Sequence, residues 1–447
     1  MKNRRENGGV TLVERIAYPL GLAGQNMVYN FMSMYILFFF TDLLGIPAAI
    51  ATGIIMAASA WDVINDPLMG LITDRTRTRL GKLRPYLIFG PVVLAIMFAL
   101  CFCDFGLAQV AAIGVAALFY VLWGMSYTVC DIPIWAISSV VSKDPSQRNS
   151  MVTLGKIGGT VGTAICTVCS IMVINGFGGE RLASAYTYAA IVIGLVSCVL
   201  MTITGLVLKE RIEPAAKPVS FRENLRTVTC NRPLMALLVG ILVVNMVNNI
   251  RQAAQTYFAI YVWGDSSWLT PIGISLIVGM VAGMALTPML MGRFDKRKLF
   301  IGSCIGGAVA SSIPFFIGGG NIMFCLVVLG VSFAFTGVTT ITTSSMLIDA
   351  VDFSQYKLGF RGEGIIFSLN TFLSKLSGMI SRAVVGVGLV LMSYEADAAV
   401  TPLLSSGLSA MIYLIPAACF LLAIIPMMFY HISPEEQAGI EAMRQQQ

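Results

Sequence analysis

The sequence predicts an all-α membrane protein whose twelve transmembrane helices form two six-helix bundles. Three observations predict it. The first is composition: of 447 residues, 57% are hydrophobic and only 12% charged, with a mean hydropathy of +0.81. A soluble chain carries about 25% charged residues. The second is a series of twelve apolar stretches of membrane length, each close to the roughly 20 residues that cross a bilayer as a helix. The third is a strong asymmetry of Lys and Arg between alternate loops.

The twelve stretches fall near 16–40, 47–72, 85–103, 107–130, 151–174, 184–208, 233–262, 269–291, 298–317, 321–348, 364–392 and 406–430. The basic start MKNRRENGG is not followed by a short apolar region with a small-residue cleavage site, so the first helix is read as retained. Arg75, Arg77, Arg79, Lys82 and Arg84 lie between stretches two and three, six basic residues lie in 209–232, and four lie in GRFDKRK. Arg181 stands alone among the opposite loops. This places both termini in the cytoplasm of a multi-pass inner (plasma) membrane protein. It also accounts for the net charge of +6 as a topology signal, with no nucleic-acid partner.

The chain divides at KERIEPAAKPVSFRENLRTVTCNRP. The expected domains are 1–208, an N-terminal six-helix bundle; 209–232, a cytoplasmic linker; and 233–447, a C-terminal six-helix bundle with a short cytoplasmic tail. The halves echo one another. Gly70 with Asp74-Arg75 follows helix 2, and Gly292 with Asp295-Lys296-Arg297 follows helix 8. Repeated six-helix units around a midplane site are a transporter architecture. Gly155, Gly159, Gly158 and Gly162 form two overlapping small-residue patterns on helix 5, where membrane helices approach closely. The ten cysteines are read as small packing residues. Cys166 and Cys169 have a redox spacing but lie inside a span, and the single histidine, His431, leaves too few ligands for zinc.

The polar residues inside the spans carry the functional reading. Asp62 and Asp66 are one turn apart with Asn65 between them. All three project to one sector, with roughly 5–6 Å between neighbouring Cβ atoms. A mid-membrane carboxylate costs roughly 2.5–3.5 kcal/mol on insertion scales. A hard cation, which prefers oxygen ligands, would offset that cost and the mutual repulsion. Protonation of one carboxylate would do the same. Either way the pair binds one positive charge reversibly; the bland alternative is an ion pair with a distant base. Asp131 and Trp135, at i and i+4, join an acid to an aromatic face, a pairing that suits a sugar's hydroxyls and apolar side. Helix 7 carries a polar stripe of Asn245, Asn248, Gln252 and Gln255, with Arg251 beside it. Helix 1 adds Gln25, Asn26 and Asn30. On helix 11, Lys375 lies deep in a span and needs a counter-ion, for which the helix-2 and helix-4 acids are candidates.

Several blocks together are specific. YILFFFTDLLG, WDVINDPLMG, TRTRLGKLRP, YTVCDIPIW and DAVDFSQYKLGFRGEG, followed by SLNTFLSKLSG, span nearly the whole chain. On these residues the chain resembles the glycoside–pentoside–hexuronide:cation symporter family, in particular melibiose-type carriers, within the major facilitator superfamily. The resemblance implies secondary active sugar uptake by alternating access, coupled to Na⁺, H⁺ or Li⁺, with one chain as the transport unit and no other cofactor. It implies a cation site at Asp62, Asn65, Asp66 and Thr128, where Asp62 and Asp66 would ligate Na⁺ under sodium coupling. It implies a sugar site at Asn26, Asp131, Trp135, Lys156 and Thr371, and coupling through Lys375. It places Arg148 in a cytoplasmic loop as a gate or helix contact.

Two departures bear on the substrate. Some galactoside-carrying relatives have a Lys-Asp pair where this chain has Gln25-Asn26, and an arginine where Lys156 aligns. The expected substrate is a glycoside or oligosaccharide. Arg251 offers an alternative as an anion-binding residue for a hexuronide. A non-transporting sugar sensor on the same fold is a further alternative, separated by accumulation against a gradient. An intramembrane prenyltransferase is disfavoured, because Asn65-Asp66 is followed by Pro67-Leu68-Met69 and lacks a close third carboxylate. No catalytic residues are expected.

Overall fold

The computed structural model describes residues 9–142, 145–211, 231–317, 321–358, 363–395 and 400–430, with 436 and 440. The described residues form α-helices and no strand. In chain order they are α1 (Leu12–Phe38), α2 (Ala48–Arg75), α3 (Arg84–Cys101), α4 (Gln109–Val140), α5 (Pro145–Gly176), α6 (Ala183–Val207), α7 (Arg232–Tyr261), α8 (Leu269–Met291), α9 (Lys296–Ile317), α10 (Ile322–Leu358), α11 (Glu363–Leu391), α12 (Pro402–Ile412) and α13 (Leu414–Met428).

Ten stretches are long and apolar enough to cross a membrane, and residues 402–428, holding α12 and α13, count as one of them. The other two of the expected twelve are α1 and α2, 27 and 28 residues long. Gln25, Asn26 and Asn30 dilute the hydropathy of α1. The acids of α2 confine its apolar stretch to Ala48–Asp62. Polar content separates these two from the rest.

Two boundaries matter: the sequence lets the fourth span run on past Asp131, and it makes the last span a single helix. Helix α4 runs on to Val140, so Asp131 and Trp135 lie within it. Pro133 is accommodated inside the helix, where it lacks the N–H that would reach the Val129 carbonyl. The last span, expected as one helix over 406–430, breaks at Tyr413. Pro416 has no N–H for the Ile412 carbonyl, and Arg251 Nε donates to that carbonyl instead, at 3.2 Å.

Contacts divide the chain into two compact units. The first holds residues 1–216 with 265–270 and 386–399; the second holds 217–264, 271–385 and 400–447. Residues 212–230 of the central loop lie outside the described residues, as do Cys230, His431 and the side chain of Asp74.

In the first unit α5 rides directly on α1. A methyl on Gly158 would stand 2.1 Å from the Pro19 carbonyl oxygen, and one on Gly162 2.2 Å from that of Ala23. Gly155 faces Tyr18 and Leu22, and Gly159 faces Asn26. Both small-residue patterns are therefore spent on one seam, as expected where lipid removes the hydrophobic drive and close backbone approach replaces it. Asn30 fastens the same seam, donating to Thr167 Oγ1 at 2.9 Å. The second unit repeats the device between α8 and α10: methyls on Gly279 and Gly283 would stand 2.2 and 1.9 Å from the carbonyl oxygens of Gly330 and Ala334.

The helix ends reveal the internal repeat. Arg297, opening α9, donates to the carbonyls of Met427 and Met428 at the end of α13, at 3.0 and 2.8 Å. Arg84, opening α3, does the same for Gly205 and Leu206 at the end of α6, both at 3.0 Å. The structural counterpart of Arg297 is thus Arg84, not the Arg75 that sequence spacing pairs with it. The acids differ between the units. Asp295 caps α9 locally, accepting from Arg297 N at 3.0 Å. Helix α3 is capped from a distance: Glu210 accepts from the amides of Lys82, Leu83 and Arg84 at 2.9, 2.8 and 3.0 Å. Next to it, Arg211 pairs with Glu14 at 2.8 Å, and Glu14 closes a capping box with Thr11 at the start of α1.

Candidate functional site

The first unit brings α2 and α4 face to face, with the acids between them. A methyl on Gly124 would stand 3.2 Å from Asp62 Oδ1. One turn along, Thr128 Oγ1 donates to Asp66 Oδ1 at 2.9 Å. Asp62 and Asp66 on one helix therefore match Gly124 and Thr128 on the other, each pair at i, i+4. Gly124 leaves room where any side chain would press on a carboxylate. Asn65, one residue before Asp66, has a buried amide nitrogen with no acceptor. Turned over, that amide would present an oxygen in the same place. The four residues Asp62, Asn65, Asp66 and Thr128 thus sit together, and their oxygens are the ligand type that a hard monovalent cation takes.

One turn further along α4, Asp131 is buried. Gln25 of α1 donates to it, and the same Nε2 lies 2.8 Å from the Tyr127 hydroxyl. Asn26 Nδ2 in turn donates to Gln25 Oε1 at 3.0 Å and to the Leu22 carbonyl at 2.9 Å. A continuous polar chain Asn26–Gln25–Asp131 results, with Tyr127 hanging from it. Tyr127 is the residue that sequence reasoning missed as a site member, whereas Gln25 is placed at a sugar contact through the family resemblance. Gln25 was visible as a polar residue in a span, but its pairing with Asp131 bridges 106 positions and has no local signal.

Aromatic rings continue the site along α4. Trp123 lies between Tyr120 and Tyr127, with centroids 5.5 and 5.6 Å away, and Tyr29 of α1 meets Tyr127 at 5.5 Å. Trp135 lies one turn past Asp131, half-buried. Lys156 is on α5, one residue past Gly155, so its side chain leaves the glycine seam and is exposed. Arg148, near the start of the same helix, is half-buried.

The remaining candidates belong to the second unit. Thr371 is exposed on α11, and Lys375 is half-buried one turn later. Helix α7 is zipped to α11 in part: Asn245 of the polar stripe donates to Ser374, and Asn249, outside the stripe, to Ser377, both at 3.2 Å. Arg251 is buried, not open to a cavity. Its Nη2 donates to Ser311 at 2.7 Å and to Ser332 at 2.9 Å, its Nε holds the Ile412 carbonyl, and its guanidinium lies 4.9 Å above the Phe333 ring. Engaged with three neighbouring helices and an aromatic face, it does not present its fork to a solute.

Comparison with known proteins agrees with this architecture. A family model described as MFS/sugar transport protein matches residues 17–434. Among curated relatives, the inner membrane symporter YicJ of Escherichia coli is 29% identical over 428 residues, covering 95% of this chain and 93% of that protein. The isoprimeverose transporter of Lactiplantibacillus pentosus is 26% identical over 445 residues, covering 97% and 92%. The crystal structure of the nucleoside transporter NupG superposes with a TM-score of 0.65 at 13% identity, over 94% of this chain and all of that one. That likeness carries the fold alone. The chain is a multi-pass membrane transporter, not an enzyme, and it belongs to the MFS/sugar transport protein family.

Proposed function

We propose that the chain is a secondary active symporter that couples a monovalent cation, Na⁺ or H⁺, to the uptake of a sugar, most simply a neutral glycoside or oligosaccharide. One observation carries the reading: α4 holds a member of the acidic cation cluster, Thr128, and the candidate sugar-site acid, Asp131, less than one turn apart. A cation settling on Asp62 and Asp66 changes the field at Thr128. The polar chain through Asp131, Gln25 and Asn26 lies directly beside it. Cation and sugar thereby share one rigid helix, and whatever factor the cation adds to sugar affinity the sugar adds to cation affinity.

In this scheme the carboxylate of Asp131 accepts from sugar hydroxyls and the Trp135 ring packs on the apolar face. Lys156, in the first unit, and Thr371, in the second, are proposed as sugar donors, and Lys375 as the coupling residue of alternating access. One chain is the transport unit. The hexuronide alternative loses its proposed contact, since Arg251 is buried among Ser311, Ser332 and Phe333.

The test is thermal stability of the purified protein against a glycoside panel, with and without Na⁺, because a ligand that binds only the folded state raises its Tm. A neutral glycoside that raises Tm, and does so more in Na⁺, supports the reading. A shift confined to uronides overturns the neutral-sugar assignment. Trp135→Ala weakens sugar affinity more than Trp135→Tyr; equal, wild-type affinity in both removes the stacking role.

A further inference from the structure

Two segments from the second half of the sequence pack with the first unit: residues 265–270 and, among the described residues, 386–395. Both stay tied by the chain to helices of the second unit, α7 and α8 in one case and α11 in the other. Both fall on the side of the membrane opposite the basic loops, as does Asp42, which follows the first span. Ser266 of the shorter segment donates to Glu180, and Thr270 Oγ1 donates to the Val168 carbonyl at 3.3 Å. The longer segment is held differently.

Helix α1 does not stop at Phe38. It opens into a π-helical turn, Phe39–Leu43, an element frequent at functional positions. The turn sets out Asp42, half-buried, and the Thr41 hydroxyl donates to its Oδ2 at 2.6 Å. The other carboxylate oxygen accepts from the Tyr394 hydroxyl. The end of α11 aims Tyr394 there. The Tyr394 amide reaches back to the Leu389 carbonyl and the Ser393 amide to that of Val390, both at 3.0 Å, which makes a Schellman turn. Its left-handed position, where glycine is usual, is Ser393 at φ 49°. A side chain there is strained and persists only where neighbouring contacts hold it. Two turns before Tyr394, Gly386 rests on Thr52 of α2, and a methyl in its place would run into the Thr52 side chain. The Thr52 hydroxyl is buried and has no hydrogen-bond partner. The docked segment thus carries two unmet costs, a serine in a glycine conformation and a hydroxyl shut away from water. A hydrogen bond to a carboxylate works against them. Undocking would return water to Thr52 and relax Ser393, so the contact is poised to open.

We propose that residues 386–395 are a latch on the outer end of the first unit, closed here by Tyr394 on Asp42, which opens when the transporter admits its solute from outside. What the opening serves rests on the transport reading above; the latch itself is tested with neither sugar nor cation.

Thr52→Cys puts a thiol beneath Gly386 in the full-length protein. Right-side-out vesicles are treated with a membrane-impermeant maleimide, and the labelling of the protein with Thr52 intact is subtracted to remove the natural cysteines. Slow labelling is expected, because position 52 is 5% exposed. Adding Tyr394→Phe is expected to speed it about tenfold, the loss of one hydrogen bond to a charged group. Inverted vesicles are expected to show no such rise. An unchanged rate with Tyr394→Phe overturns the latch, and so does a rise of equal size from the inner face. If Thr52→Cys does not fold, amide exchange of 386–394 decides: it is expected to be about tenfold faster in Tyr394→Phe than in wild type, and equal exchange overturns the latch. A protein that shows the labelling rise but binds no sugar keeps the latch and loses the symport reading.

Discussion

The first unit sets a cluster of acids, and the second a buried arginine, against similar neutral groups. The first places Asp62, Asp66 and Asp131 against a threonine hydroxyl, a glycine gap and a glutamine amide. The second places Arg251 against two serine hydroxyls, a released carbonyl and a phenyl face. The difference lies in reversibility. Asp62 and Asp66 are half-buried, and under the proposed function their oxygens take up an ion that comes and goes. The arginine is locked into a broken helix and cannot change its charge. Under that reading one unit responds and the other stays as it is.

The comparison breaks most readily at the acids. Asp62→Asn is expected to abolish cation stimulation of sugar accumulation while leaving downhill exchange measurable in vesicles. Retained Na⁺- or H⁺-driven accumulation would falsify the assigned cation site. Next in size are the glycine seams, which make the units alike. Gly158→Ala in the first and Gly283→Ala in the second each force a methyl into a backbone carbonyl. Each is expected to cost about 1–3 kcal/mol of stability, read as a fall in Tm. A seam that accepts the methyl without loss is not the close contact described.

The caps make the units unlike, and their removal sharpens the contrast. Glu210→Ala strips three amides of their acceptor, and Asp295→Ala strips the first turn of α9. Losses of about 1–2 and about 0.5–1 kcal/mol are expected, in that order; the reverse order would mean that the remote cap contributes less than the local one.

The smallest effect concerns residues 265–270, which pack with the first unit although they lie after α7 and include the start of α8. Ser266 donates to Glu180 there. Burial, then the neighbouring Asp265 carboxylate, push the Glu180 carboxyl above its ordinary 4.5, against the opposing pull of Arg181 and Ser266. The folded state therefore favours the protonated form. Its stabilising contribution is complete below 4.5 and fades as pH rises through the elevated folded-state value. Amide exchange of 265–270, corrected for intrinsic rate, is expected to speed up across that window in wild type and to be flat in Glu180→Gln.

Much of this was legible in the sequence, for a physical reason. Membrane spans must satisfy their own backbone, so apolar length alone marks them, and an acid pair at i, i+4 fixes its own face. Thr128 beside Asp66 was implied only by the family resemblance, because nothing in the residues says that α2 and α4 adjoin. What could not be read was which neighbour each face meets. Asn30 looks like Gln25 and Asn26 in the sequence, yet it ties α1 to α5, while Gln25 turns to Asp131. Arg251 shares a helical sector with a polar stripe, yet the proline-broken end of α12 claims it. Periodicity assigns a residue to a side of its helix; only packing says what stands opposite.

The remote cap on α3 has a consequence for assembly. Glu210 lies 126 to 128 residues after the amides it holds. As the chain leaves the ribosome, the first turn of α3 emerges without its acceptor and remains so until all six helices of the first half have been made. Arg211, arriving next, closes on Glu14 at the very start of α1. The first half is latched by its last two described residues, whereas α9 carries its own acid and needs to wait for nothing. A fragment ended at residue 208, where the apolar pattern invites a cut, would lose both latches; the natural place to divide the chain is after 211.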